Sequence, residues 1–219
     1  MPAEPALQPP RSACPRCLRA ACVCACLARP GVPWQGPVHL LLLQHPREQR
    51  ETKGTARLLH QAVAGSRLLV GERWTDPPAP DGAAHPATTP ASHHDVLLYP
   101  ATPGDTALPA APPLPAAWLA EPARLRLVVI DGTWRKSRRM LYESPWLQRL
   151  PRLALVAPPP SRYRIRRARG EGQLSTFEAA VLALGQLAPA HDPGPVLWPV
   201  FEAFVAAGLA RLPAPAATA

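Results

Sequence analysis

Apolar positions along the chain fall into short continuous runs separated by longer stretches with helical spacing, the pattern of buried strands alternating with helices. Residues 38–43, 67–70, 96–99, 125–130 and 152–156 each form such a run and predict five strands. A helix is predicted to begin near Thr55 and to carry Ala56, Arg57, Leu58 and Leu59. Residues 135–142 contain neither Gly nor Pro. They set Met140 and Leu141 against Arg135, Lys136, Arg138 and Arg139, so a short basic helix is predicted. Ser175 followed three residues later by Glu178 is a capping-box pattern ahead of a helical run over 177–187, and residues 196–212 predict a terminal helix. The fold class these elements predict is α/β.

A chain of 219 residues accommodates one sizeable α/β domain with a small appendage. Its 32 prolines are dense between residues 76 and 122, which predicts mostly loop around one strand. The net charge of +9 favours a polyanionic partner, with nucleic acid the natural candidate and a solvated basic surface the competing reading. The apolar runs are too short to span a bilayer and no apolar leader precedes them, so a soluble, cytoplasmic protein is expected.

All five cysteines fall within residues 14–26. Soft thiolates this close in sequence suit one tetrahedral Zn²⁺ better than disulfides in a reducing compartment, with redox use as the alternative. Five candidates exceed four places.

The predicted strand over 125–130 runs directly into Asp131-Gly132-Thr133-Trp134 and the basic helix. Ligands of open α/β sheets collect at such carboxyl ends, which makes Asp131 a candidate for chemistry. An Asp between strand and helix is equally a good helix N-cap, with Gly132 easing the turn. His45, in Gln44-His45-Pro46, reads as a structural hydrogen bonder rather than a proton carrier. Arg162, Arg164 and Arg166 alternate with Tyr163 and Ile165, so an extended backbone would set a row of guanidinium groups on one face, with Arg167 following. Phosphate binding and charge protection of a sheet edge are the two readings of that row.

Asp131-Gly132-Thr133-Trp134 resembles the D-x-T-W signature of the DTW-domain family, the tRNA-uridine aminocarboxypropyltransferases of the TapT type. Further stretches are similar to family motifs in the same order: the cysteine cluster, His45-Pro46-Arg47-Glu48 (H-P-x-E), Leu98-Tyr99-Pro100, Ser144-Pro145 with Leu150-Pro151, Ser161-Arg162-Tyr163, and Ser175-Thr176-Phe177-Glu178. Lys53-Gly54-Thr55 departs from the Asn-Thr pair more usual there.

The resemblance implies a SPOUT-like parallel sheet flanked by helices, with a knotted C-terminal cofactor site. It makes residues 12–30 a zinc knuckle and 36–212 a DTW domain, between a start (1–11) and an Ala/Pro-rich tail (213–219) that the sequence itself predicts to be disordered and loose. It implies transfer of the 3-amino-3-carboxypropyl group of S-adenosylmethionine to N3 of a tRNA uridine, with release of methylthioadenosine. Carried over residue by residue, it makes Asp131 and Trp134 catalytic, and gives Tyr99, Pro100, Gly132, Thr133, Trp134, Ser175 and Thr176 to the co-substrate. It gives Arg162, Arg164, Arg166 and Arg167 to RNA, and Cys14, Cys17, Cys24 and Cys26 to a structural zinc, leaving Cys22 over. Asp131 faces a difficulty as a base, because the ordinary carboxyl pKa near 3.9 lies far below that of uridine N3. An orienting role is the alternative. A methyltransferase using the same co-substrate and a non-catalytic zinc-containing RNA-binding module are the competing functions.

Overall fold

The computed structural model describes residues 30–78, 93–102, 105–165 and 173–210, together with Cys14, Cys24 and Ala28. Cys17, Cys22, Cys26, Arg166 and Arg167, and both expected terminal segments, lie outside them.

The described strands are β1 (His39–Gln44), β2 (Arg67–Val70), β3 (His94–Leu98), β4 (Leu125–Asp131) and β5 (Arg152–Leu153). They form one parallel sheet in the order β2-β1-β4-β3-β5. The helices are α1 (Ala56–Ala62), α2 (Ala116–Leu119), α3 (Trp134–Glu143), α4 (Pro145–Gln148), α5 (Thr176–Leu187) and α6 (Gly194–Leu209).

Strand alternation divides the interior into two layers. Leu40, Leu42, Leu127 and Val129 pack with α1, α5 and α6, where Phe177 stacks on Phe201. Leu41, Leu43, Val128 and Ile130 pack with Met140, Leu141, Trp146 and Leu147 of α3 and α4. All seven residues of β4 are buried, and each large aliphatic side chain so covered contributes about 1.5–3 kcal/mol. Arg126 and the terminal Asp131 are the charged exceptions in that strand. The Arg126 guanidinium donates to both oxygens of Asp95, its register partner on β3, at 2.6 and 2.9 Å, which compensates the cost of burial.

The connections explain where a ligand can enter. From β1 the chain passes through α1 to β2 at one edge, whereas from β4 it passes through α3 and α4 to β5 at the other. Loops departing in opposite directions open a crevice at the carboxyl ends of β1 and β4, the usual ligand position in open α/β sheets.

Two sequence expectations change. The strand expected over 152–156 is only Arg152–Leu153, because the chain then turns through Ala157 at φ 40° into three prolines that donate no ladder hydrogen bonds. The extended strand expected to carry Arg162 and Arg164 is absent among the described residues. Residues 161–163 are irregular and a turn follows at Arg164 and Ile165. The in-and-out alternation survives locally, with Arg162 and Arg164 exposed and Tyr163 buried.

Candidate functional site

Asp131 ends β4 and is 5% exposed. Its Oδ2 accepts from Gln44 Nε2 at 2.9 Å and its Oδ1 from Thr176 Oγ1 at 2.7 Å. Gln44 is its register partner at the end of β1, and Thr176 is the first residue of α5. Strand, neighbouring strand and helix therefore converge on one carboxylate, and both donors suit its anionic form.

Helix capping, the plainer reading of Asp131, falls instead to Thr133, whose Oγ1 accepts from Lys136 N at 3.4 Å. Gly132 lets the wall of the site stay thin. A Cβ there would lie 3.2 Å from Lys136 Cβ and 3.4 Å from Ser137 N. Trp134 is 55% exposed rather than core, and meets the edge of Tyr99 with ring centroids 6.0 Å apart. Burial pushes the Tyr99 phenol pKa above its ordinary value, against the opposing hydrogen bond from Ser137 and the nearby Arg152 and Arg138, so the ring stays neutral.

Two cavities meet at this junction. The first, of about 300 Å³, is bounded by Leu98, Tyr99, Pro100, Ile130, Trp134 and Leu155, and reaches Gly132, Ser175 and Thr176. Six of the seven positions expected to hold co-substrate line it; the seventh, Thr133, lines the second. The second cavity, of about 200 Å³, contains Asp131, Thr133, Glu48, Glu51, Lys53 and Lys136, and shares Gly132, Ser175 and Thr176 with the first.

The capping box forms as expected at α5: Ser175 Oγ accepts from Glu178 N while Glu178 Oε2 accepts from Ser175 N at 2.8 Å. Glu178 does more than cap. It also accepts from Ser161 Oγ and, at 2.6 Å, from Arg162 N, tying the S-R-Y stretch to the S-T-x-E stretch. Phe177 N donates to Thr55 Oγ1 at 3.1 Å, and Tyr163 Oη donates to the Lys53 carbonyl at 2.6 Å. These bonds draw three stretches distant in sequence, residues 53–55, 161–163 and 175–178, around the second cavity.

Several residues stand apart. Arg162 pairs with Glu202 at 2.8 Å and lies over the Trp198 ring, and neither it nor Arg164 lines either cavity. His45 accepts from Arg47 N through Nδ1 and approaches Glu72 through Nε2, the structural use expected of it. Among the described residues no His, Cys, Asp or Glu trio is placed to hold a metal, and no helix is long and apolar enough to cross a membrane. Cys14 and Cys24 are half-buried at the margin of the larger core.

Two participants were not singled out from sequence. Gln44 carried no motif significance, although its place at a strand end before His45-Pro46 was the available signal. Lys136 was read only as part of a basic helix face, whereas its ammonium pairs with Glu48, the acid of H-P-x-E, at 2.6 Å.

The chain is 32% identical over 179 residues to a Drosophila melanogaster protein named tRNA-uridine aminocarboxypropyltransferase 2, covering 81% of this chain and 67% of that one. Relatives of the same name from Mus musculus and Macaca fascicularis are 31% and 27% identical, covering 81% and 85% of this chain. The chain spans only 57% and 59% of their respective lengths. No solved structure matches it significantly. The DTW domain profile matches residues 11–209, nearly the whole sequence including the cysteine cluster, the cavity-lining D-G-T-W turn and the α5 cap, and the chain belongs to the DTW domain family.

Proposed function

We propose that the protein transfers the 3-amino-3-carboxypropyl group of S-adenosylmethionine to N3 of a tRNA uridine. The observation that carries this reading is the cavity at the carboxyl end of β4, where D-G-T-W, Leu98-Tyr99-Pro100 and Ser175-Thr176 converge. The relatives' shared name supplies the reaction class.

In the transfer, N3 of uridine forms a bond to the γ-carbon as the S–Cγ bond breaks. The sulfur keeps that electron pair, leaving neutral methylthioadenosine, and the N3 proton departs to a base. Asp131 holds the uracil edge and takes that proton directly or passes it to water. The donors Gln44 and Thr176 fix its direction, so orientation is the larger part of its contribution. Trp134 and Tyr99 offer aromatic surface to adenosine and help decide which sulfonium carbon faces the base.

Recognition of tRNA falls to exposed cations. Arg164 and Arg135 lie at the surface, and Arg162 becomes available by giving up Glu202. Arg166 and Arg167 extend the same basic stretch in sequence. The target uridine must be unstacked to bring its N3 edge to a carboxylate that is 5% exposed.

Two structural elements belong to the same reading. A SPOUT-like cofactor site is supported by the parallel sheet and by the seating of α5 against the end of β4. A structural zinc on Cys14, Cys17, Cys24 and Cys26 is supported by the all-thiolate donor set, and elemental analysis of the purified protein tests it.

Incubation with unmodified tRNA and S-adenosylmethionine, followed by nucleoside mass spectrometry, tests the function. An aminocarboxypropyl-uridine with equimolar methylthioadenosine is expected. A methylated nucleoside with S-adenosylhomocysteine would instead establish a methyltransferase, and RNA binding without any product a non-catalytic module.

A further inference from the structure

The two cavities differ in chemistry as the two ends of the sulfonium metabolite differ. The larger is walled mainly by aromatic and aliphatic side chains, while the smaller sets the carboxyl groups of Glu48, Glu51 and Asp131 against the ammonium groups of Lys53 and Lys136. Their common wall at Gly132, Ser175 and Thr176 lies beside the bond from Thr176 to Asp131.

Resting on the proposed function, we infer that the smaller chamber binds the amino-acid arm of S-adenosylmethionine, with Lys136 pairing its carboxylate and Glu48 its ammonium, while adenosine occupies the larger. A zwitterion removed from water needs a partner for each charge. Lys136 and Glu48 supply the two signs from one site, 2.6 Å apart. Before binding they satisfy each other, and the incoming arm exchanges one internal ion pair for two with the ligand.

The other obvious host for the carboxylate, the N-terminus of α5, is largely occupied by the protein itself. Ser175 N donates to Glu178, Phe177 N to Thr55 and Glu178 N to Ser175. Side-chain cations are therefore the better-placed partners. Uracil is neutral and has no comparable need for an opposed ion pair.

This division has a consequence for product choice. With adenosine in one cavity and the charged arm in the other, sulfur and its γ-carbon sit where the two meet, between Gly132 and Ser175-Thr176, next to Asp131. The arm is then the group presented at the carboxylate, which selects aminocarboxypropyl over methyl transfer by position.

Isothermal titration of the full chain tests the inference with three probes: S-adenosylmethionine, methylthioadenosine, which lacks the arm, and decarboxylated S-adenosylmethionine, which lacks only its carboxylate. Lys136→Met is expected to weaken S-adenosylmethionine binding about ten- to hundredfold, the range of a charge-assisted contact. It should leave methylthioadenosine and the decarboxylated compound within twofold of the wild type. The Lys136→Met/Glu48→Gln double variant, which strands no unpaired carboxylate and removes both partners, should lose at least as much affinity for S-adenosylmethionine, and weaken the decarboxylated compound too, in a chain of wild-type thermal stability. Unchanged S-adenosylmethionine binding in both variants, or equal weakening of all three probes, overturns the inference while leaving the proposed function standing. A rise in KM for tRNA alone would assign the chamber to uracil and likewise overturn it. Failure of the wild type to bind methylthioadenosine sinks the co-substrate reading of the larger cavity, and this inference with it.

Discussion

Replacing Gln44 with leucine isolates what holding Asp131 in place is worth. Gln44 is 1% exposed and lines neither cavity, so any effect on transfer must pass through the carboxylate it donates to at 2.9 Å. A hydrogen bond to a charged group contributes about 1.5–3 kcal/mol. If that amount is lost in the transition state, kcat falls roughly ten- to 150-fold. Stability should change less. Asp131 loses one donor, but Gln44 Oε1, which has no partner among the described residues, disappears too, and a buried acceptor of that kind itself costs about 1–3 kcal/mol. Steady-state kinetics on tRNA, calorimetric binding of S-adenosylmethionine and a thermal melt together decide the matter. The expected result is a lower kcat with little change in co-substrate affinity or melting temperature. A folded Gln44→Leu protein with wild-type kcat would show that Asp131 needs no such support, and a collapse in melting temperature would show a merely structural role.

Trp134→Ala should leave stability within about 0.5 kcal/mol, because the indole is largely exposed, yet weaken methylthioadenosine binding several-fold; equal affinity in a titration would remove Trp134 from the adenosine site. Glu178→Ala should cost about 3 kcal/mol or more, since a buried carboxylate accepting from Ser175, Ser161 and Arg162 leaves all three donors stranded, and a denaturant midpoint close to wild type would contradict this. Burial, reinforced by the nearby Arg57 charge, holds His60 below its ordinary pKa of 6.5. The native state thus binds that proton less readily than the unfolded chain, so the His60 contribution is complete above about pH 6.5 and is lost as pH falls through the folded value. His60→Gln should flatten the melting temperature between pH 7 and 5, and a slope identical to wild type would exclude His60 as its source.

The parts legible in the sequence were those governed by local rules. Continuous apolar runs located β1 and β4 within a residue, and Ser175 with Glu178 announced the start of α5 before any tertiary contact was known. Where a second element decides the outcome, local rules fell short. The alternation of Arg162, Arg164 and their neighbours looked like a strand, but Glu178 takes the Arg162 N–H, Tyr163 is buried against Phe201, and the segment turns instead of pairing. For Trp134, burial in the core was the alternative to the site role its motif implies, because tryptophan at a strand–helix junction is normally buried. Its position as the first residue of α3 swings it outward over Tyr99. The pairing of Lys136 with Glu48 spans 88 positions and depends on the register of β1 with β4, which no single-sequence pattern encodes.

That register also explains why the site is assembled from separate motifs and not from one loop. Pairing Gln44 with Asp131 at the ends of adjacent parallel strands places whatever follows each strand side by side. H-P-x-E follows β1 and G-T-W follows β4, so Glu48 and Lys136 come within reach of each other. A one-residue slip would send Asp131 to the opposite face of the sheet and separate it from Thr176. The packing of Leu42 and Val129 on one face and Leu41 and Val128 on the other resists such a slip, because every one of these side chains would change layers at once. The apolar core of β1 and β4 is therefore what aligns the charged groups at their ends.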